Sequence, residues 1–115
     1  MNKPKYKCVA FVLESPFKDM PDMNTGSHNG YVAIPKEHPL YGKKMSDVYD
    51  DKYQLMYNGG ITWGAKAGSL NNEPEGLDGM WILGFDTSHS WDTSDHWSEY
   101  SVKMLAEEMK EELEQ

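Results

Sequence analysis

The stretch Met80-Trp81-Ile82-Leu83-Gly84-Phe85 decides the fold that we predict for this chain. Alternate positions along a β-strand point to opposite faces of a sheet, and in this stretch both sets of positions are apolar. Such a pattern predicts a central strand that is covered on both faces. The stretch from Lys7 to Leu13 has the same pattern and predicts another central strand, which ends at Ser15-Pro16 because proline cannot donate to a ladder. Cys8 falls within this pattern and is expected to be an inert core residue.

Shorter elements lie between these two strands. Gly30 to Ile34 and Gly60 to Trp63 each predict a short strand, since each begins at a glycine and is apolar or β-branched. Residues 16–29 contain scattered prolines and polar residues, which predicts a mobile loop or a lid. Residues 46–56 predict a short helix with a serine at its start and acids in its first turns. The stretch from Asn71 to Gly76 predicts a loop.

The last element is an amphipathic helix from about Asp95 to Glu114. Its apolar positions recur at helical spacing, at Val102, Leu105, Ala106, Met109 and Leu113. The outer positions are mostly glutamates. We therefore predict an α+β fold, in which a small twisted sheet of about four strands has this helix packed on one face.

Length and composition indicate a single domain spanning residues 1–115. The chain has 115 residues, of which 38% are hydrophobic and 26% are charged, which is typical of one small globular domain. One cysteine excludes an internal disulfide framework. The longest apolar runs are far below the roughly 20 residues that a membrane-spanning helix needs, and no signal peptide is recognisable. We expect a cytoplasmic protein with no membrane partner.

Charge is distributed unevenly along the chain. The formal net charge is −8, but residues 1–70 carry nine lysines against seven acids, whereas residues 71–115 carry two lysines against twelve acids. The chain has no arginine, the residue that most often contacts phosphate and guanine bidentately. Binding to duplex nucleic acid is therefore not expected. A single small phosphorylated ligand remains compatible with a few local lysines or backbone N–H groups.

One group of residues has the chemistry of a metal or acid–base site. Asp86, His89 and Asp92 are spaced three apart after a strand, and with His38 they could hold zinc, manganese or iron. Alternatively, Asp86 orients His89 as a base and no metal is needed. A third interpretation is structural, with the carboxylates bonding to backbone N–H groups in turns. No cofactor is certain, and a divalent metal is the only one that these residues suggest.

A second, overlapping group could bind a small ligand. Aromatic rings can stack on a base, lysines and backbone N–H groups can contact phosphate, and paired glycines allow a ligand to approach the backbone. The candidates are Tyr31, Lys36, His38, Tyr41, Gly59, Gly60, Thr62, Trp63, Asp86, His89 and Trp91. The alternative is that the aromatic residues belong to the core and the glycines form a plain turn.

The order of these residues resembles a family of short uncharacterised proteins of phages, prophages and actinobacteria. The resemblance covers roughly Asn29 to Asp92 and rests on three blocks: Gly30-Tyr31-Val32 with His38-Pro39 and Tyr41-Gly42, then Gly59-Gly60-Ile61-Thr62, then Gly84-Phe85-Asp86 with His89 and Asp92. The chain departs from the family at Asn58, where a histidine is usual, and at Trp91, where a glycine is usual. The resemblance implies no established activity, but it implies a phage-type protein that acts in the cytoplasm of a host cell.

Three functions remain open. The first is a protein that binds a small polar ligand such as a nucleotide and sequesters a nucleotide signal of host defence. The second is a metal- or histidine-dependent hydrolase of a phosphoester or nucleotide, with His38, Asp86, His89 and Asp92 as catalytic residues. The third is an acidic interaction protein whose C-terminal half docks on a basic surface of a host protein and inhibits it. We favour the binder, and a homo-oligomer would allow so short a chain to enclose its ligand.

Overall fold

The described structure, a computed structural model, comprises residues 5–14, 28–43, 63–70, 72–85 and 99–115. Within these ranges the chain forms four strands and one helix, in the order β1 (Val9–Glu14), β2 (His28–Ile34), β3 (Trp63–Lys66), β4 (Trp81–Phe85) and α1 (Glu99–Leu113). This arrangement confirms the predicted α+β fold. In the described ranges, no helix combines the length and the hydropathy that crossing a bilayer requires.

The strands form one antiparallel sheet in the order β1-β2-β4-β3. The prediction that β4 is a central strand is confirmed. The same prediction for β1 is wrong, because among the described strands β1 lies at the edge of the sheet and pairs only with β2. Both faces of β1 are apolar because both faces of the sheet are packed. Apolar residues on both faces of a strand indicate that both faces are packed, but they do not indicate whether the strand is central or at the edge of the sheet.

Two strand boundaries also differ from the predictions. β2 begins at His28 rather than Gly30, since His28 and Asn29 pair with Glu14 and Leu13 of β1. β3 (Trp63–Lys66) continues three residues beyond Trp63, the predicted end of the strand, through its pairing with β4. The predicted loop at 71–76 is confirmed for residues 72–76, which contain no strand or helix. The expected loop at 16–27, helix at 46–56, strand residues 60–62 and helix start at 95–98 lie outside the described residues.

Each face of the sheet carries its own apolar cluster. On one face, α1 packs against β1 and β2 and contributes the residues that its spacing predicted. The fully buried side chains of this cluster are Val32, Ile34, Leu83, Phe85, Val102, Ala106, Met109 and Leu113. The opposite face carries a smaller cluster, whose buried members are Phe11, Tyr31, Ala33, Leu77 and Ile82.

Two glycines in the central strands leave room for aromatic rings of the neighbouring strand. Gly30 of β2 is paired with Phe85 of β4, and Tyr31 is paired with Gly84. A Cβ atom added to Gly30 would lie 2.4 Å from Cζ of Phe85, and one added to Gly84 would lie 2.7 Å from Cδ1 of Tyr31. Each ring therefore occupies the space that a side chain on the opposite residue would need. The glycines in the Gly-Tyr and Gly-Phe pairs are packing requirements of the sheet.

Candidate functional site

The two ends of the antiparallel sheet carry different candidate residues. At the first end, which we call the Trp63 end, β1 and β4 finish while β2 and β3 begin. At the opposite end, the His38 end, β2 finishes and is followed by the turn at residues 35–43. The chain preceding Trp63 and the chain following Phe85 thus attach to neighbouring strands at the same end. His38 follows the far end of β2.

Most of the predicted site residues lie outside the described part of the chain. They are Gly59, Gly60, Thr62, Asp86, His89, Trp91 and Asp92. The metal half-site and the acid–base pair therefore stay predictions. Among the residues that the structure describes, no group of three or more His, Cys, Asp or Glu side chains is arranged to hold a metal ion.

His38 is buried at the junction between the turn and the helix, with only 3% of its surface exposed. Its Nδ1 accepts a hydrogen bond of 3.0 Å from the backbone N–H of Leu40. Because Nδ1 accepts, the proton of the neutral ring is on Nε2, which donates to the carbonyl oxygen of Leu113 at 2.7 Å. The ring also packs against Tyr6, with 4.5 Å between centroids. His38 thus caps the C-terminal end of α1, where carbonyl groups lack helical partners.

The segment before β1 is fastened to the same end of the helix. The backbone N–H groups of Lys5 and Tyr6 donate to the carbonyl oxygen of Glu114 at 2.6 and 3.3 Å. Its carboxylate accepts a hydrogen bond of 3.0 Å from the N–H of Cys8. Burial, together with the negative charge of Glu114, raises the pKa of the Cys8 thiol to about 12. The thiol is therefore protonated at neutral pH, in agreement with the inert core residue that the sequence predicts.

Tyr41 contributes to holding the turn at 35–43 against the sheet. Its hydroxyl donates to the carbonyl oxygen of Gly79 at 3.2 Å, and its ring lies 5.9 Å from that of Trp81. Trp81 in turn donates from Nε1 to the carbonyl oxygen of Lys43 at 2.9 Å. Lys36 is exposed. Of the candidates on this turn, His38 and Tyr41 have polar atoms bonded within the fold, and Lys36 retains an accessible ammonium group.

Tyr31 and Trp63 meet on the face opposite α1. Tyr31 stacks on Phe11 with centroids 5.3 Å apart, and it meets Trp63 at 5.9 Å with the two rings almost perpendicular. The rings can approach because Gly84 lies between them in the register and carries no side chain. Tyr31 is buried, whereas Trp63 is half-buried. Trp63 is thus the predicted aromatic residue at this end that combines a braced position with an accessible surface.

A polar arrangement that the sequence reasoning missed lies in the connection between β3 and β4. The carboxylate of Glu73 accepts hydrogen bonds from the backbone N–H groups of Gly68, at 2.9 Å to each oxygen, and of Leu70, at 2.8 Å. An open depression of about 300 Å³ lies beside it, lined by residues between Ala67 and Asp78. Neighbouring N–H groups of this kind bind anions. The chain fills this position with its own Glu73 carboxylate, which stabilises the loop. In the sequence, the sign of this arrangement is an acid within an Asn-, Pro- and Gly-rich stretch.

Comparisons of the chain with protein-family models, with curated proteins and with solved structures found no match. The resemblance to the phage-type family therefore stays an expectation drawn from the spacing of its motifs.

Proposed function

We propose that this chain is a small binding protein that holds a polar ligand with a flat ring, such as a nucleotide, at the Trp63 end of the sheet. The observation that carries the proposal is the position of Trp63. Its indole is half-buried at the first residue of β3 and is braced against the buried ring of Tyr31. A braced aromatic ring with an accessible surface can stack on a base without losing much side-chain freedom.

The connectivity supports this end of the sheet over the opposite one. The sequence stretches that contain Gly59, Gly60 and Thr62, and those that contain Asp86, His89 and Trp91, attach to the neighbouring strands β3 and β4 at the Trp63 end. We propose that the backbone N–H groups of the glycine pair contact the phosphate of the ligand, since glycine permits close approach. At the His38 end, the ring nitrogens of His38 are already bonded to backbone groups.

The proposed role is sequestration of a nucleotide signal of host defence. The resemblance to short phage-type proteins motivates this role, which would be carried out in the cytoplasm of the host cell. The net charge of −8 disfavours long polyanions, whose many phosphates would each be repelled, but it permits one small nucleotide held by local contacts. A second copy of the chain could complete the enclosure of the ligand.

The first experiment distinguishes this binder from a hydrolase that acts on the same ligand class. Purified protein is incubated with a panel of nucleotides and cyclic dinucleotides in the presence of Mg²⁺ and Zn²⁺. It is then separated by ultrafiltration and heat-denatured, and both fractions are analysed by mass spectrometry. We expect the ligand to be released intact from the protein fraction. A chemically changed nucleotide would overturn the binder and would make His38, Asp86, His89 and Asp92 the residues to substitute next.

The substitution Trp63→Ala tests the stacking surface. Base–aromatic stacking is worth about 1–3 kcal/mol, so the affinity for the nucleotide retained in the first experiment should fall about 5- to 150-fold. The matched control is Tyr100→Ala, which removes an exposed aromatic ring from α1. Isothermal titration calorimetry on both variants, with thermal melts to verify folding, gives the comparison. Unchanged affinity in folded Trp63→Ala protein would remove Trp63 from the site.

A further inference from the structure

The outer face of α1 carries the two large hydrophobic side chains that are exposed in the described part of the chain. Tyr100 is 72% exposed and Met104 is 49% exposed. The two residues are four positions apart, so they are neighbours on the surface of the helix. The opposite face of α1 already supplies its core residues. These two side chains therefore contribute nothing to the core through which the helix is held on the sheet.

The same face carries the exposed Lys103 and continues into three exposed carboxylates, those of Glu107, Glu108 and Glu111, so its charge is net negative. Glu111 lies in the last turn of α1, where the helix dipole is negative and an added negative charge is destabilising by roughly 0.3–1 kcal/mol. Lys110, the basic residue in the last turn, pairs with Glu114 at 3.7 Å. Among the described residues, no ion pair to these three carboxylates is formed. These exposed carboxylates are therefore accessible to a partner.

We propose that this outer face, made of Tyr100, Met104, Glu107, Glu108 and Glu111, docks a basic amphipathic protein segment. The apolar residues of the partner would contact Tyr100 and Met104. Its lysine or arginine residues would pair with the carboxylates that begin one turn further along and extend to Glu111. Met104 and Glu111 are separated by seven residues, or about 10 Å along the axis, so the partner needs apolar and basic groups about two turns apart.

Charge selects a protein segment over the other macromolecules that such a face could meet. The carboxylates repel the phosphates of nucleic acids and the headgroups of anionic lipids. A basic segment is attracted, and the two apolar side chains give it a fixed position on the helix. The proposal uses α1 alone and does not depend on ligand binding at the Trp63 end. Glu112 is half-buried and is not included.

The test uses the full chain and a synthetic 16-residue helical peptide. The peptide carries two leucines one helical turn apart and a group of lysines two turns after them. Binding is followed by fluorescence anisotropy of the labelled peptide at low and high salt. We expect saturable binding that weakens as salt rises, and no binding of a control peptide in which glutamate replaces lysine. No binding of the basic peptide would overturn the proposal, and so would binding to phosphatidylglycerol vesicles in place of the peptide.

Variants of the chain locate the binding surface. The triple variant Glu107→Gln, Glu108→Gln, Glu111→Gln and the double variant Tyr100→Ser, Met104→Ser should each weaken binding about tenfold or more. The matched control is Glu75→Gln with Asp78→Asn, which neutralises exposed acids on the connection between β3 and β4. Circular dichroism verifies that each variant is folded. Equal weakening by the control, or unchanged binding by either test variant, would show that the segment binds elsewhere.

Discussion

The two ends of the sheet use similar residue types in different ways. At the His38 end, an imidazole, two tyrosines and the last turn of α1 are joined by hydrogen bonds and ring contacts, and His38 is buried. At the Trp63 end, Tyr31 is buried while the neighbouring indole of Trp63 is half-buried. The first end stabilises the fold through its polar atoms. The second end presents an accessible aromatic surface. The stretches of sequence that carry the remaining candidate residues attach there to the neighbouring strands β3 and β4.

The difference shows that residue type alone does not separate a structural residue from a functional one, because the contacts of the side chain decide which role it can take. His38 has the chemistry of a metal ligand or a base, but Leu40 and Leu113 engage both of its ring nitrogens. A buried polar group that is satisfied in this way stabilises the fold, and its bonds would have to break before it could act on a ligand.

The largest change in stability is expected for His38→Ala, which tests whether the His38 end is structural. The substitution leaves a cavity and removes the partners of two backbone groups, so the free energy of unfolding should fall by about 3 kcal/mol. Urea denaturation measures the loss, with exposed Glu37→Gln as the control. The affinity of the remaining folded protein for its nucleotide should be unchanged. Loss of binding without loss of stability would instead place His38 in the ligand site.

A smaller effect, about 2 kcal/mol, is expected for Gly30→Ala. The added methyl group would overlap the ring of Phe85, which must then move. Since Phe85 is the last residue of β4 before Asp86, this variant should reduce both stability and ligand affinity, in contrast to His38→Ala. The double variant Gly30→Ala with Phe85→Leu provides the internal control. Its loss of stability should be smaller than the sum of the two single losses, and simple additivity would contradict the packing described here.

The smallest effect concerns the pH dependence that Cys8 introduces at the His38 end. The pKa of its thiol is about 12 in the folded chain against 9.0 in an exposed position. Above pH 9 the unfolded chain loses this proton while the folded chain keeps it, so stability is lost as pH rises from 9 towards 12. The stability difference between wild type and Cys8→Ala should shift by about 1 kcal/mol between pH 8 and pH 10. A constant difference in urea denaturation would indicate that water reaches the thiol.

Much of the local architecture could be predicted from periodicity. The apolar spacing of α1 identifies its buried positions because a helix has one stripe facing the core. The continuous apolar run of β4 identifies a strand covered on both faces. Strand boundaries were less accurate, as at His28 and at Lys66, because polar residues pair in a ladder as readily as apolar ones when a partner strand is present.

The arrangement of the candidate site could be predicted only in part. The candidates Trp63 and Tyr31 contact each other. Asp86, His89 and Asp92 lie outside the described residues, so their meeting with His38 stays a prediction. The exposed pair Tyr100 and Met104 was not recognised, although the predicted core stripe through Val102, Ala106 and Met109 already left both residues outside it.

The charge asymmetry and the lack of arginine can be read directly from the sequence, and the apolar stripe of α1 and the strand character of β4 follow from the spacing of neighbouring residues. The tertiary structure decided that β1 lies at the edge, that His38 caps α1, and that Gly30 and Gly84 accommodate aromatic rings across a strand pair. These features depend on strand order and register, which are set by contacts between residues far apart in the chain.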